Sequence, residues 1–122
     1  MPFVNDGKHV MLNALGAVAV KAALYTGDPG GAGTSNEVSG GDPAYARKTV
    51  AWNSASGGEM TKNASPAVVF DVPASTTVTY VGFWNSADTV YYGAEVVASE
   101  AFTAQGTYTL LDTSKLSITD PA

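Results

Sequence analysis

Two stretches of the chain divide their side chains between two faces with the two-residue period of a strand. In Ala67–Val72, Val68, Phe70 and Val72 alternate with Ala67, Val69 and Asp71. In Thr77–Trp84, Val78, Tyr80, Gly82 and Trp84 fall on one face, and Thr77, Thr79, Val81 and Phe83 on the other. Both faces turn apolar towards Phe83-Trp84, so that end is expected to be covered on both sides. Shorter β-like runs surround these two. They are Val20–Thr26, Tyr45–Trp52, a brief edge strand at Glu59–Lys62, Thr89–Val97, Tyr108–Leu111 and Lys115–Thr119, the last with Leu116 and Ile118 facing inward. Turn-forming stretches separate them: Ser54-Ala-Ser-Gly-Gly58, Pro73-Ala-Ser75, Asn85-Ser-Ala-Asp88 and the surroundings of Gly106. The Asn85–Asp88 turn makes a hairpin of its two flanking strands. This spacing, with no βαβ rhythm, predicts an all-β fold. The expectation is a single-domain antiparallel β-sandwich, or a jelly-roll-like barrel, over residues 1–122.

Residues 1–17 read as an N-terminal arm and a short helix. Asn5 and Asp6 are candidate N-caps, and His9 to Leu15 suits about two turns. Met11, Leu15 and Val18 share a helical face, and Gly16 is placed to end the helix.

Residues 27–43 form a long Gly-rich loop between the Val20–Thr26 and Tyr45–Trp52 strands. A loop of this length in a compact domain is usually functional or contact-making. Asp28-Pro29-Gly30 is a strong turn signal, because Pro presets φ and Gly accepts positive φ. The loop carboxylates Asp28, Glu37 and Asp42 raise the question of Ca²⁺, but their spacing is not that of an EF-hand. Gly30-Gly31-Ala32-Gly33-Thr34 lacks the Lys-Ser/Thr ending and the following helix of a phosphate loop. Arg47 is placed to pair with Glu37 or Asp42 and tie the loop down, an interaction worth about 0–1 kcal/mol if exposed.

Composition narrows the chemistry. The 122 residues carry 6 basic and 11 acidic side chains, a net charge of −5, and the only adjacent basic pair is Arg47-Lys48. Direct nucleic-acid contact is not expected from that balance. With 0 cysteines, disulfides and thiolate metal sites are excluded. The N-terminus lacks a signal-peptide pattern, and Val10–Leu24 is too broken to span a membrane. His9 is the single histidine, with no nucleophile and carboxylate arranged around it in sequence, so it reads as a helix-surface residue. No catalytic, cofactor or metal site is assigned, and the chain is not expected to be an enzyme. The aromatics Tyr80, Phe83, Trp84, Tyr91 and Tyr92 share one hairpin. About half should fill the core, and adjacent Tyr91 and Tyr92 should point to opposite faces. Aromatics are enriched at subunit contacts. The expected interface residues are Asp28, Pro29, Glu37, Arg47, Trp84, Tyr91 and Tyr92.

Several blocks together resemble a group of small structural proteins of tailed bacteriophages, described as tail-fibre-like, minor tail, capsid-fibre and head decoration proteins. The blocks are Asn13-Ala-Leu-Gly16, Leu24-Tyr-Thr-Gly-Asp-Pro-Gly30, Asn36-Glu-Val-Ser-Gly-Gly41, Tyr45-Ala-Arg47, Val81-Gly-Phe-Trp84, Tyr92-Gly-Ala94 and Leu116-Ser-Ile118. The resemblance implies a non-enzymatic virion component made in the host cytoplasm. The leading expectation is a head decoration or minor capsid protein that binds the major capsid protein and stabilises the particle. By analogy with capsid-cementing proteins it would be a homo-oligomer, a trimer. The N-terminal helix and a flexible Gly27–Gly41 region would make its contacts. The alternative is a tail-fibre, baseplate or minor tail component that contacts the host surface. No bound glycan, metal or cofactor is assigned.

Overall fold

The computed structural model describes residues 4–63, 67–110 and 115–117. Helix α1 (Asn5–Val18) precedes eight strands: β1 (Lys21–Tyr25), β2 (Lys48–Thr49), β3 (Glu59–Thr61), β4 (Val68–Val72), β5 (Thr76–Trp84), β6 (Tyr91–Phe102), β7 (Gly106–Leu110) and β8 (Lys115–Ser117). All pairings are antiparallel. One sheet has the order β2-β1-β5-β6, and β3-β8 and β4-β7 form two-stranded ribbons.

The core lies between the four-stranded sheet and the β4-β7 ribbon. Ala22 and Leu24 of β1, and Val78, Val81 and Phe83 of β5, meet Val68, Phe70 and Val72 of β4 and Leu110 of β7. The alternation in β4 explains its placement: Val68, Phe70 and Val72 are buried, and Val69 is exposed. The all-β sandwich with one N-terminal helix is therefore the observed architecture. Ile118 and the side chain of Leu116 lie outside the described residues, as does the start of the arm.

Four local expectations need correction. First, Val78 does not share a face with Tyr80, Gly82 and Trp84. A register irregularity between Val78 and Tyr80 lets it join Val81 and Phe83 in the core. Strict two-residue counting fails across a bulge. Second, the Tyr45–Trp52 strand shrinks to β2, with Trp52 making one isolated bridge to Lys62. Tyr45 instead turns inward and stacks on Phe70, with ring centroids 6.2 Å apart. Third, β6 runs well past Val97 to Phe102, pairing along β5 as far as Thr76.

Fourth, α1 has 14 residues, and its N-cap position is Val4, which is extended and provides no side-chain cap. Its buried side chain is Leu12, and Leu15 is half-buried, whereas Met11 and Val18 are exposed. Gly16 lies inside the helix. A Cβ there would come within 2.7 Å of the Met60 side chain, so its role is close packing against β3. Two polar contacts tie the helix to the turn at residues 54–58. Asn13 Oδ1 accepts from the Ala55 N–H (2.9 Å), and His9 Nε2 accepts from the Gly58 N–H (3.0 Å). His9 thus serves as an acceptor for a turn. Among the described residues no helix is long and apolar enough to cross a membrane.

Candidate functional site

The long loop does not hang off the sandwich. It folds back across the outer face of the four-stranded sheet, the face opposite the main core. There Ala23, Tyr25 and Trp84 form a second buried cluster, flanked by Tyr80 and Tyr91. Strand geometry makes this possible. Ala23 and Tyr25 alternate with Ala22 and Leu24, so β1 is buried on both faces.

The backbone of the loop is tied to β1 at its far end. Thr26 N–H donates to Asn36 O (2.8 Å), Val38 N–H donates to Leu24 O (3.0 Å), and Glu37 bridges to Tyr25. Between these ties the loop builds its own turns. The Gly30 N–H donates to Asp28 Oδ1 (2.8 Å), Asn36 Nδ2 donates to Asp28 O (3.0 Å), and Ser35 N–H donates to Pro29 O (3.1 Å). Gly33 then seats on the aromatic cluster. It has φ +70, its carbonyl accepts from Tyr25 OH (2.8 Å), and a Cβ there would lie 2.4 Å from the Tyr91 ring. Only glycine meets both the backbone and the space requirement. Tyr25 OH in turn accepts from Trp84 Nε1 (2.9 Å), so the buried hydroxyl is satisfied twice.

Arg47 closes the arrangement. Its Nε and Nη2 donate to the two oxygens of Glu37 at 2.9 and 2.8 Å, a bidentate pair. Nη1 donates to Asp88 Oδ1 (3.1 Å), and Lys21 Nζ donates to Asp88 Oδ2 (2.8 Å). The guanidinium lies 3.9 Å from the centroid of the Trp84 ring. Tyr45 OH donates to Glu37 Oε2 (2.9 Å) and accepts from the Leu24 N–H (3.0 Å). Two cations and two carboxylates therefore neutralise one another around an aromatic floor.

The electrostatics follow from this geometry. Glu37 holds the Arg47 proton more tightly than usual, with Asp88 adding to the effect. Lys21 and then Arg47 hold the Asp88 carboxyl below its ordinary value. Burial pushes the Tyr45, Tyr25 and Tyr91 hydroxyls up. Lys21, Tyr25, Glu37, Tyr45, Arg47, Trp84 and Asp88 each have a protein partner here, which is the signature of a structural clamp. Asp28 is occupied by its own turn and Glu37 by Arg47 and Tyr45. Among the described residues no group of three or more acidic or histidine side chains could hold a metal ion.

A family model described as "Podophage GP4 fiber I protein gp80" matches residues 12–120. The chain belongs to that family. It is a small structural protein of a tailed-phage virion, fibre-like in type. No curated protein and no solved structure matches it.

On this fibre-family chain, the structure brings Glu37, Arg47, Trp84 and Tyr91 into one cluster. Arg47 pairs with Glu37, and its other acidic partner is Asp88, not Asp42. Asp42 lies at the far end of the loop, before a cis bond to Pro43, where its N–H donates to Gln105 Oε1 (3.3 Å). Trp84 and Pro29 are buried within the chain, whereas Asp28 and Tyr92 are exposed. The sequence reading missed Tyr25, Tyr45, Lys21 and Asp88. Asp88 belonged to a hairpin turn in that reading, with nothing to relate it to a residue 41 positions away.

Proposed function

We propose that the chain is a fibre-type component of the phage particle, the alternative that stood second in the sequence reading. The family match carries this reading. The clamped loop supports it, because a part exposed outside the particle benefits from loops that are folded down. The sandwich with its pinned loop is the rigid body, and partner contacts belong to what that body leaves exposed. Those surfaces include Val10, Met11 and Val18 on α1, and Val90, Tyr92 and Val96 around β6. Self-association, including the trimer, remains part of the proposal, and so does docking on a tail protein. Asp28 and Tyr92 are the exposed members of the expected interface set. Glu37, Arg47, Trp84 and Tyr91 hold the surface in shape from below. A head decoration role is the competing outcome of the same test.

Particles lacking the chain would be compared with complete ones for adsorption to host cells and for heat resistance. A fibre-type role predicts impaired adsorption with unchanged heat resistance. Loss of heat resistance with normal adsorption would overturn it in favour of head decoration.

A further inference from the structure

Strand β6 is the outer strand of the four-stranded sheet, and its only strand partner among the described residues is β5. It is long, at 12 residues, and Tyr91–Phe102 contains no Lys, Arg or Pro. A free edge of this kind is a template for another strand, and proteins use recognisable devices to block it. Two are present. Register irregularities interrupt β6 opposite Val78/Tyr80 and Phe83/Trp84. The second device is Glu95, whose cross-strand partner is Val81, a core residue. Paired residues share a face, so Glu95 points to the core side of the sheet. It is half-buried, and among the described residues no hydrogen bond or ion pair engages it. Glu100 is also on that side, opposite buried Val78, and Val97 between them packs against the core.

We propose that Glu95 keeps the β6 edge closed to a second copy of this chain, and that neutralising Glu95 opens that edge to β6–β6 pairing. A strand docking on β6 would strip the remaining water from the Glu95 carboxylate. Pairing of two β6 strands would bring four carboxylates, Glu95 and Glu100 of each copy, to one seam between two strands that themselves contain no Lys or Arg. Removing the charge removes both costs. Burial already raises the Glu95 carboxyl above its ordinary range, so the charge carries a penalty in the folded chain. Among the described residues, Tyr108 of β7 lies near Glu95, and Glu100 of β6 lies near the same tyrosine on the same side of the sheet. Tyr108 is raised first by burial and then by both glutamates. Asp71 alternates with buried Phe70 and Val72 and faces away. Because the folded carboxyl binds its proton more tightly than the unfolded one, the penalty is present above the raised value. It is relieved as pH falls through that value. Acid should therefore both stabilise the fold locally and unlock the edge.

The test compares wild type, Glu95→Gln, Glu95→Thr and the double variant Glu95→Thr/Val96→Lys. Sedimentation, melting temperature and amide exchange are measured at neutral pH and along a series of falling pH into the acid range. The expected result is that both single variants melt higher than wild type at neutral pH. They also associate at a markedly lower concentration than wild type, because neither carries a charge to desolvate at the seam. Their β6 amides gain protection on association, wild type behaves likewise only in the acid range, and Val96→Lys reverses the association. Unchanged association in both single variants, lower melting temperatures in both, or association without protection of β6 would each overturn the proposal. Glu95→Gln keeps the side-chain shape, so it reads the charge even if Glu95→Thr misfolds.

Discussion

Replacing Arg47 with Met keeps an apolar stem over Trp84 and removes the guanidinium that closes the loop clamp. Glu37 would then keep a side chain only 21% exposed, with its bidentate partner gone. Tyr45 OH would still donate to it, at 2.9 Å, so the carboxylate would be only partly stranded. An exposed pair is worth about 0–1 kcal/mol, and removing one partner of a fully buried pair costs about 3–5 kcal/mol. The Glu37–Arg47 pair lies between these limits. The lost cation–π contact adds about 0.5–1 kcal/mol. We expect Arg47→Met to destabilise by about 2–4 kcal/mol. At about 4 °C per kcal/mol for a chain of this size, melting falls by about 8–16 °C. A double-mutant cycle with Glu37→Gln should give a coupling energy of about 1.5–3 kcal/mol. Chemical denaturation measures the totals. Amide exchange at Thr26 and Val38, the loop's ties to β1, shows whether the loop is what loosens. A loss under about 0.5 kcal/mol, with those amides still protected, would refute the reasoning, because the loop would then be held without Arg47.

Three further outcomes follow from the same geometry. Gly33→Ala places a Cβ 2.4 Å from the Tyr91 ring at φ +70, so it should destabilise by at least about 1–2 kcal/mol, read by denaturation and by the near-ultraviolet dichroism of Trp84 and Tyr91. Leu12→Ala removes the buried anchor of α1 and should cost about 2–4 kcal/mol, whereas Val10→Ala, 71% exposed, should stay within about 0.5 kcal/mol in the isolated chain. Asp88 has its folded carboxyl below the ordinary 3.8, so its contribution is present above that value and lost as pH falls through the folded one. Asp88→Asn should accordingly flatten the acid limb of the stability curve in that window, measured by denaturation across pH.

The sandwich was legible because the strands that build it carry their period openly. Val68, Phe70 and Val72 alternate without interruption, and their burial follows the pattern. The errors share a cause. Where a partner strand bulges or a helix docks, the local period no longer says which side is buried. Val78 crossed to the core through a register irregularity, and α1 turned Leu12 inward while Met11 stayed exposed. Gly16 read as a helix stop because sequence shows its freedom but not the Met60 side chain that requires its smallness.

The loop was half legible. Its turn chemistry and the Arg47–Glu37 pair could be read from short spacing and opposite charge. Its place as a covering layer could not be read, because it rests on contacts from three separate segments. Tyr25, Trp84 and Tyr91 come from β1, β5 and β6, and only the register of those strands brings them under Gly33. The Gly27–Gly41 region, expected as a contact-making loop, lies folded against the body, so its exposed turns are presented on that frame.

The direct test of the functional account is the location of the chain on intact virions, by electron microscopy of particles with density fitted to the sandwich or with bound antibody fragments. The account predicts density or label on fibres projecting from the particle. Label spread over the head lattice, with fibres bare, would contradict it.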